Sequence, residues 1–173
     1  MSRCWDTHCK ALSLVHDDDV NYFHPFKGDE GLRPARVVDV YDGDTCRLAL
    51  CVHDDPMHIA KFNARLEGID TPEMRGKTKA EKVWAKKARD HLRALVLNQT
   101  VKVSVCAGGR MHRPLDPRKR LIVKIFCEDG ESVATKMVDA KYAVPYMDGS
   151  KNNKDYTKPD WETLAKEYLD QEK

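Results

Sequence analysis

The chain has 173 residues, of which 41% are hydrophobic and 34% are charged. This length suits one domain with a single core. No apolar run approaches the ~20 residues that a membrane-spanning helix needs, and the first residues lack the apolar segment of a secretory signal. The composition therefore excludes a protein with helical membrane spans, and we expect an intracellular, cytoplasmic protein that does not act at a membrane.

The net charge of +2 is spread unevenly along the chain. Residues 75–93 hold eight Lys or Arg against two acids, and residues 110–124 hold six against one. A basic middle segment predicts a polyanionic partner. For 75–93 alone a solvated helix face is the simpler explanation, whereas the second cluster falls in a predicted loop.

Six cysteines are present, and none of them forms a CxxC pair. Because no export signal is apparent, we expect reduced thiols. Cys4, His8, Cys9 and His16 are residue types that bind zinc, but their spacing matches no familiar zinc site. The sequence leaves their role open.

Two hairpin-like segments follow an irregular beginning. Residues 1–33 show no sustained period, so the sequence predicts an irregular N-terminal arm. ARVVDVYDGDTCRLALCV then places apolar and β-branched residues on both sides of an Asp-Gly turn signal, which predicts one strand before the turn and another over about 45–52. HDDPMH, residues 53–58, is predicted as a loop, and the next strand, IAKFNARLEGI, ends at the turn DTPE.

The segment KTKAEKVWAKKARDHLRALVLNQ predicts a long helix, and Thr78 followed by Glu81 fits a capping box. VKVSVCA and RLIVKIFC alternate as strands on either side of a polar loop, and further helices are predicted at ESVATKMVDAK and WETLAKEYLDQ. The apolar stripe of the long helix comprises Ala80, Trp84, Ala88, Leu92 and Leu95.

The predicted order is three strands, a helix, two strands and two further helices. Five short strands interrupted by a helix are typical of a five-stranded Greek-key barrel of the OB type, here with about three packed helices. We therefore divide the chain into the arm at 1–33, a barrel domain at 34–150, and a C-terminal linker and helix at 151–173.

Acidic turns follow two of the predicted barrel strands, and a basic loop leads into a later one. Asp44 follows the Asp-Gly turn, and Asp70 and Thr71 end the third strand. Two carboxylates and a backbone carbonyl suit a hard cation such as calcium. Arg65 and Arg120 supply guanidinium groups, which bind phosphate through two parallel donors. A metal ion, arginines and a carboxylate that activates water are the parts that phosphodiester cleavage needs.

The motifs YDGDT at 41–45, RLEGIDTPE at 65–73 and DPRKRL at 116–121 resemble the three active-site motifs of the staphylococcal nuclease (thermonuclease) family. The resemblance covers roughly residues 35–147, and the motifs stand in the family's order. It implies an OB-fold barrel with packed helices. It also implies a calcium-dependent, sugar-nonspecific nuclease that cleaves DNA and RNA and leaves 3′-phosphate ends.

The resemblance assigns roles to the acidic turns. Asp44 and Asp70 resemble the family's calcium-binding carboxylates, and Thr71 matches its carbonyl ligand. Glu73 matches the proposed general base. The interval from Asp44 to Asp70 is longer than in the bacterial enzyme, and we attribute the difference to the predicted loop around HDDPMH.

The resemblance also assigns the basic and aromatic positions. Arg65 and Arg120 match the two arginines that hold the phosphate. Where the family often has Tyr-Gly before the second arginine, this chain has Arg118 and Lys119, which we expect to bind the nucleic-acid backbone. KYAVPYMDGSK is similar to the ending of versions from large DNA viruses, and Tyr146 within it is either a base-stacking residue or a core or hinge residue.

Other interpretations stay open at this point. A nuclease-like domain can be a non-catalytic scaffold that binds nucleic acid or protein, although none of the six matching positions is lost here. A protein whose charges only face solvent would gain no stability from calcium. The fold analogy further predicts a preference for single strands, because a base near the cut must be splayed from its neighbours. Oligomeric state and physiological substrate do not follow from the sequence.

Overall fold

The computed structural model describes residues 9–10, 12–13, 31–52, 55–106, 120–146 and 159–171 of the 173-residue chain. Its strands are β1 (Leu32–Val40), β2 (Thr45–Val52), β3 (Asp55–Leu66), β4 (Ile69–Asp70), β5 (Thr100–Val105), β6 (Leu121–Phe126) and β7 (Val144–Pro145). Its longer helices are α1 (Lys79–Val96), α2 (Val133–Asp139) and α3 (Trp161–Gln171). No helix within these ranges is long and apolar enough to cross a membrane.

Five of the strands close into a barrel in the order β1-β2-β3-β6-β5, with β5 pairing back to β1. The pairs are antiparallel except for β3 with β6, which run parallel. Successive side chains of a strand point to opposite faces, so the apolar members of each strand fill the barrel. This confirms the predicted five-stranded barrel of the OB type with three packed helices. Its buried interior includes Val37, Leu48, Leu50, Leu121 and Ile125.

A second, two-stranded sheet lies outside the barrel. Ile69 of β4 pairs with Pro145 of β7, and Asp70 pairs with Val144. Gly68 makes the turn from β3 into β4 with a φ of +84°, a conformation that other residues rarely adopt. This small sheet holds the end of the third predicted strand in place, and strands of two residues leave no periodic pattern by which the sequence could predict them.

The connection between β2 and β3 is shorter than predicted. The sequence predicts a loop over 53–58, but β3 begins at Asp55, and Val52 pairs with Asp55 across a register shift. The prediction was therefore wrong for 55–58, which extend β3 beyond its apolar segment. Most of the interval between the two acidic turns is therefore taken up by the strands of this hairpin rather than by a loop.

The N-terminal region departs from a wholly irregular arm at the few positions described there. Residues 9–10 and 12–13 are helical, and β1 begins at Leu32. Leu12 is fully buried in a small cluster with Val38, Ala49 and Cys51, outside the main core. The described part of the arm therefore packs on the outer face of the β1–β2 hairpin. No disulfide joins the cysteines in the described ranges.

Helix α1 packs on the barrel, and α3 packs on α1. The Thr78 hydroxyl accepts a hydrogen bond from the Glu81 backbone N–H at 3.2 Å, as the capping box predicts. Of the predicted stripe, three residues are buried, whereas Ala80 and Leu95 are half-buried. Trp84 stacks at a tilt on Tyr168 of α3, with 5.2 Å between the ring centroids. The buried face of α1 comprises Trp84, Ala85, Ala88, Leu92 and Val96.

Candidate active site

The YDGDT motif forms the tight connection between β1 and β2. The backbone N–H of Tyr41 donates to the Thr45 carbonyl at 2.9 Å, and the Asp42 N–H donates to the same carbonyl at 3.3 Å. The Asp42 carboxylate in turn accepts from the Asp44 N–H at 3.3 Å. These contacts fix the backbone on both sides of Asp44, so its carboxylate points in a defined direction.

Gly43 is required by close packing rather than by its backbone dihedral angles. A Cβ at this position would lie 3.0 Å from the Ala88 Cβ of α1 and 3.0 Å from Cγ2 of Thr71. The turn between β1 and β2 therefore rests against both α1 and the segment that follows β4. This contact brings the two acidic turns of the sequence together in space.

Asp44 is the most buried charged group of the site, at 3% exposure. Its Oδ2 accepts from Nη1 of Arg65 at 2.6 Å, and its Oδ1 accepts from the Thr45 hydroxyl at 2.8 Å. The same Arg65 guanidinium reaches Oδ1 of Asp70 through Nη2 at 3.4 Å. One guanidinium therefore links the two carboxylates that the sequence assigns to a metal ion.

The barrel register explains why these residues meet. Thr45, the first residue of β2, stands opposite Arg65 near the end of β3. Arg65 in turn is aligned with Ile122 of β6, and β6 starts directly after Arg120. Nη1 of Arg120 donates to the Thr45 hydroxyl at 2.9 Å. Three strand ends that are distant in sequence therefore meet at Thr45, whose hydroxyl joins Arg120 to the buried carboxylate.

The electrostatics of the pair are dominated by burial. Burial raises the pKa of the Asp44 carboxyl from its ordinary 3.8 to about 7, and the charge of Asp42 acts in the same direction. The charge of Arg65 and the hydrogen bond from Thr45 oppose this rise. For Arg65 itself, burial lowers the pKa, but Asp44, Asp70 and Asp42 outweigh it and the net direction is upward. The guanidinium therefore stays charged, whereas burial favours the protonated form of Asp44 against the opposing effect of Arg65.

An open cleft of about 590 Å³ lies beside this cluster. Thr45 lines the cleft and connects it to Asp44, which is not itself a lining residue. Glu73 and Arg120 face the cleft from different segments of the chain. The full lining comprises Asp39, Tyr41, Asp42, Thr45, Cys46, Arg47, Asn63, Glu73, Met74, Arg75 and Arg120.

The structure brings together most of the residues that the sequence assigns to catalysis or metal binding. Asp44, Arg65, Asp70 and Arg120 are connected through the contacts above, and the exposed Glu73 lines the adjoining cleft. Thr71 is buried at 4% exposure beside the Asp-Gly turn.

The residues assigned to nucleic-acid binding have a different outcome. Tyr146 is half-buried, its N–H donates to the Gly68 carbonyl at 2.8 Å, and it is not among the residues that line the cleft. Arg118 and Lys119 lie outside the described residues. Their assignment to the nucleic-acid backbone stays a prediction.

The donor set fits a hard cation only if it includes backbone and water oxygens. Across the described residues no three His, Cys, Asp or Glu side chains are grouped to hold a metal ion. Asp44 and Asp70, which share one guanidinium, supply two carboxylates. Calcium takes six to eight oxygen ligands and accepts backbone carbonyls and waters. The residues present are therefore compatible with calcium when the Thr71 carbonyl and waters complete the shell.

Sequence reasoning missed the part played by Thr45. The residue stands inside the motif YDGDT, where the sequence predicts only that a strand begins at about residue 45. Its hydroxyl accepts from Arg120 and donates to Asp44, an arrangement that depends on the pairing of β2 with β3 and β6. The cleft-lining residues Tyr41 and Arg47 were also missed, because no local pattern tells which strand residues face a cleft.

Comparison with known proteins agrees with this geometry. The family model described as staphylococcal nuclease homologue matches residues 63–168, which is more than half of the chain. The chain belongs to this family. No curated protein is similar enough to be matched to it. The matched range contains Arg65, Asp70, Glu73 and Arg120 but begins after Asp44, so the place of Asp44 in the site rests on its contacts with Arg65 and Thr45.

The raised pKa of Asp44 predicts how stability depends on pH. A raised pKa means that the folded state binds this proton more tightly than the unfolded state. The resulting stabilisation is complete below about pH 3.8 and is lost as the pH rises through about 7. Asp44→Asn mimics the protonated carboxyl, so in chelator it should match the wild type at pH 4. At pH 8 its free energy of unfolding should exceed the wild-type value by up to a few kcal/mol.

Urea unfolding from pH 4 to pH 8 in EDTA checks this prediction. The difference between variant and wild type should widen steadily as the pH rises. A constant difference across the range would show that the folded protein does not hold a proton on Asp44.

Proposed function

We propose that the protein is a calcium-dependent, sugar-nonspecific nuclease that hydrolyses phosphodiester bonds of DNA and RNA and leaves 3′-phosphate ends. One observation carries the proposal: Arg120, Thr45, Asp44, Arg65 and Asp70 form an unbroken chain of contacts beside a cleft. Such a chain joins two phosphate-binding groups to two carboxylates. Membership of the staphylococcal nuclease homologue family supports the same conclusion.

The two arginines would bind the phosphate to be cut. A guanidinium presents its five donors in one plane and matches two phosphate oxygens. The hydrogen bond to Thr45 sets the orientation of Arg120 at the cleft. Arg65 is held by two carboxylates. Fixed donors of this kind stabilise the negative charge that develops on the phosphate oxygens in the transition state.

Asp44, Asp70 and the Thr71 carbonyl are the groups that would hold calcium. When bound, the ion supplies positive charge to the phosphate oxygens and lowers the pKa of coordinated water. The carboxylates balance that charge, and the burial of Asp44 excludes bulk water from one side of the site. Glycine at 43 allows the two acidic turns to approach closely enough for such a shared role.

Glu73 would be the general base. It follows the buried Pro72, which stiffens the turn, and its own carboxylate is exposed to the cleft. In this proposal Glu73 takes the proton from an attacking water, the new oxygen–phosphorus bond forms, and the bond to the 5′ oxygen breaks. The departing 5′ oxygen takes a proton from solvent, and the phosphate stays on the 3′ side.

Glu73→Gln keeps the size of the side chain but removes the base, so calcium-dependent cleavage should fall by about 100-fold or more. Arg120→Ala should cause a loss of similar order, because it removes a donor that stabilises transition-state charge. The measurement is digestion of a labelled single-stranded oligodeoxynucleotide with calcium, and with EDTA in place of calcium.

Two surface substitutions control for unspecific effects. Glu167→Gln changes an exposed glutamate of α3, and Arg89→Ala changes an arginine of α1 that pairs with its neighbour Asp90. Both should cleave at the wild-type rate. Full activity of Glu73→Gln would show that Glu73 is not the general base. Salt-sensitive DNA binding by the wild type without any cleavage would favour a non-catalytic scaffold.

Single strands should be better substrates than duplexes. A base beside the scissile phosphate must leave its neighbours to enter the cleft, and a duplex resists this because stacking and pairing must be broken. Initial cleavage rates for a single strand and for the duplex of the same length test this preference. Equal rates would refute it.

A further inference from the structure

The cleft extends beyond the residues needed for bond cleavage. Its volume of about 590 Å³ falls within the usual size of small-molecule sites, which is roughly 300–1,000 Å³. Besides Glu73 and Arg120, its lining includes Tyr41, Arg47 and Arg75. An aromatic ring and two guanidinium groups have no part in the proposed chemistry, so their presence in the same cleft needs its own explanation.

Tyr41 is placed like a stacking residue. It is 57% exposed, and in the described part of the chain only it and Leu32, at 56%, are large hydrophobic residues with such exposure. Its backbone is held by the hydrogen bond to Thr45 at 2.9 Å. The ring therefore contributes little to the core while standing on a fixed turn. An exposed, anchored aromatic ring in a polar cleft is suited to stack on a nucleobase.

The two additional arginines frame the site of cleavage. Arg47 follows Thr45 by two residues on β2, so both side chains lie on the same face of the strand. Its Nε donates to Asn63 at 3.5 Å, and its Nη1 lies 3.9 Å from Asp39. Arg75 follows Glu73 by two residues and is exposed. One of these guanidinium groups therefore lies close in sequence to Thr45, and the other lies close to Glu73.

The formal charge of the lining is balanced. Three carboxylates and three guanidinium groups line the cleft: Asp39, Asp42, Glu73, Arg47, Arg75 and Arg120. Without a metal ion the lining therefore exerts no large net attraction on a polyanion. Contacts that do not depend on net charge should then contribute a substantial share of the affinity for nucleic acid.

From these observations we infer that Tyr41 stacks on a nucleobase next to the scissile phosphate, and that Arg47 and Arg75 hold the neighbouring phosphates of the same strand. This inference rests on the proposed function for the choice of a polynucleotide as ligand. Stacking accepts every base, because each has a π-face. The site would therefore position the strand without selecting its sequence.

Binding of a fluorescent single-stranded oligodeoxynucleotide in EDTA, measured by anisotropy, tests the stacking. Tyr41→Ala should weaken binding by about 5- to 100-fold, the usual effect of removing one stacking ring. Tyr41→Phe keeps the ring and should bind as the wild type does. Leu32→Ala is the matched control, because Leu32 is equally exposed but does not line the cleft. It should leave the affinity unchanged.

An abasic nucleotide moved along the oligodeoxynucleotide distinguishes stacking from a general disturbance of the turn. In the wild type, affinity should fall most at one position, where the missing base would have met Tyr41. In Tyr41→Ala, an abasic nucleotide at that position should lower the affinity no more than one at any other position, because the contact with the ring is already lost. If the penalty profile is the same in both proteins, or if Tyr41→Ala binds normally, the inference is overturned for Tyr41.

The salt dependence of the same binding tests the arginines. Each phosphate contact contributes about 0.7 to the slope of log K against log salt for a single strand. Arg47→Gln and Arg75→Gln should each lower the slope by about that amount. Arg89→Gln, outside the cleft lining, should not change it. Unchanged slopes for the first two variants would overturn their part of the inference.

These binding measurements are independent of catalysis, because chelator prevents calcium from acting. If the wild type cleaves with calcium but shows no coupling between Tyr41 and any base, the proposed nuclease activity stands and the stacking site is refuted. If the wild type never cleaves but shows this coupling, the nuclease activity is refuted and the stacking site stands.

Discussion

The candidate active site depends on the ion pair between Asp44 and Arg65. A carboxylate that is almost fully buried is costly unless charged and polar partners surround it. Arg65 supplies the charge at 2.6 Å, and the Thr45 hydroxyl supplies a hydrogen bond at 2.8 Å. Because these partners come from β2 and β3, the acid can be accommodated only when the barrel has closed in its observed register. The site is therefore complete only in the folded barrel.

The same contacts keep together charged groups that would otherwise repel each other or form ion pairs with other residues. Arg65 holds Asp44 and Asp70 in reach of each other. Arg120 is held on the other side of Asp44 through the Thr45 hydroxyl. In the proposed nuclease, a phosphate and a cation would take over these contacts with little rearrangement of the backbone, which is the condition for preorganised electrostatic catalysis.

The sequence predicted the features that are repeated along an element or concentrated in a motif. The strand alternation around YDGDT and the helical period through Trp84 and Leu92 led to the barrel and to α1. Features created by pairing between distant segments escaped: the two-residue strands β4 and β7, the extension of β3 to Asp55, and the hydroxyl of Thr45 between Arg120 and Asp44. The position of Tyr146 beside Gly68 rather than in the cleft lining is of the same kind.

The most direct test of this account is the rate of single-turnover cleavage of single-stranded DNA by Thr45→Val and Thr45→Ser with calcium. Valine keeps the shape but removes the hydroxyl that joins Arg120 to Asp44, whereas serine retains it. Thr45→Val should lose about 10-fold or more of the rate, and Thr45→Ser should stay close to the wild type. Cleavage by Thr45→Val at the wild-type rate would contradict the claim that this buried link assembles the site.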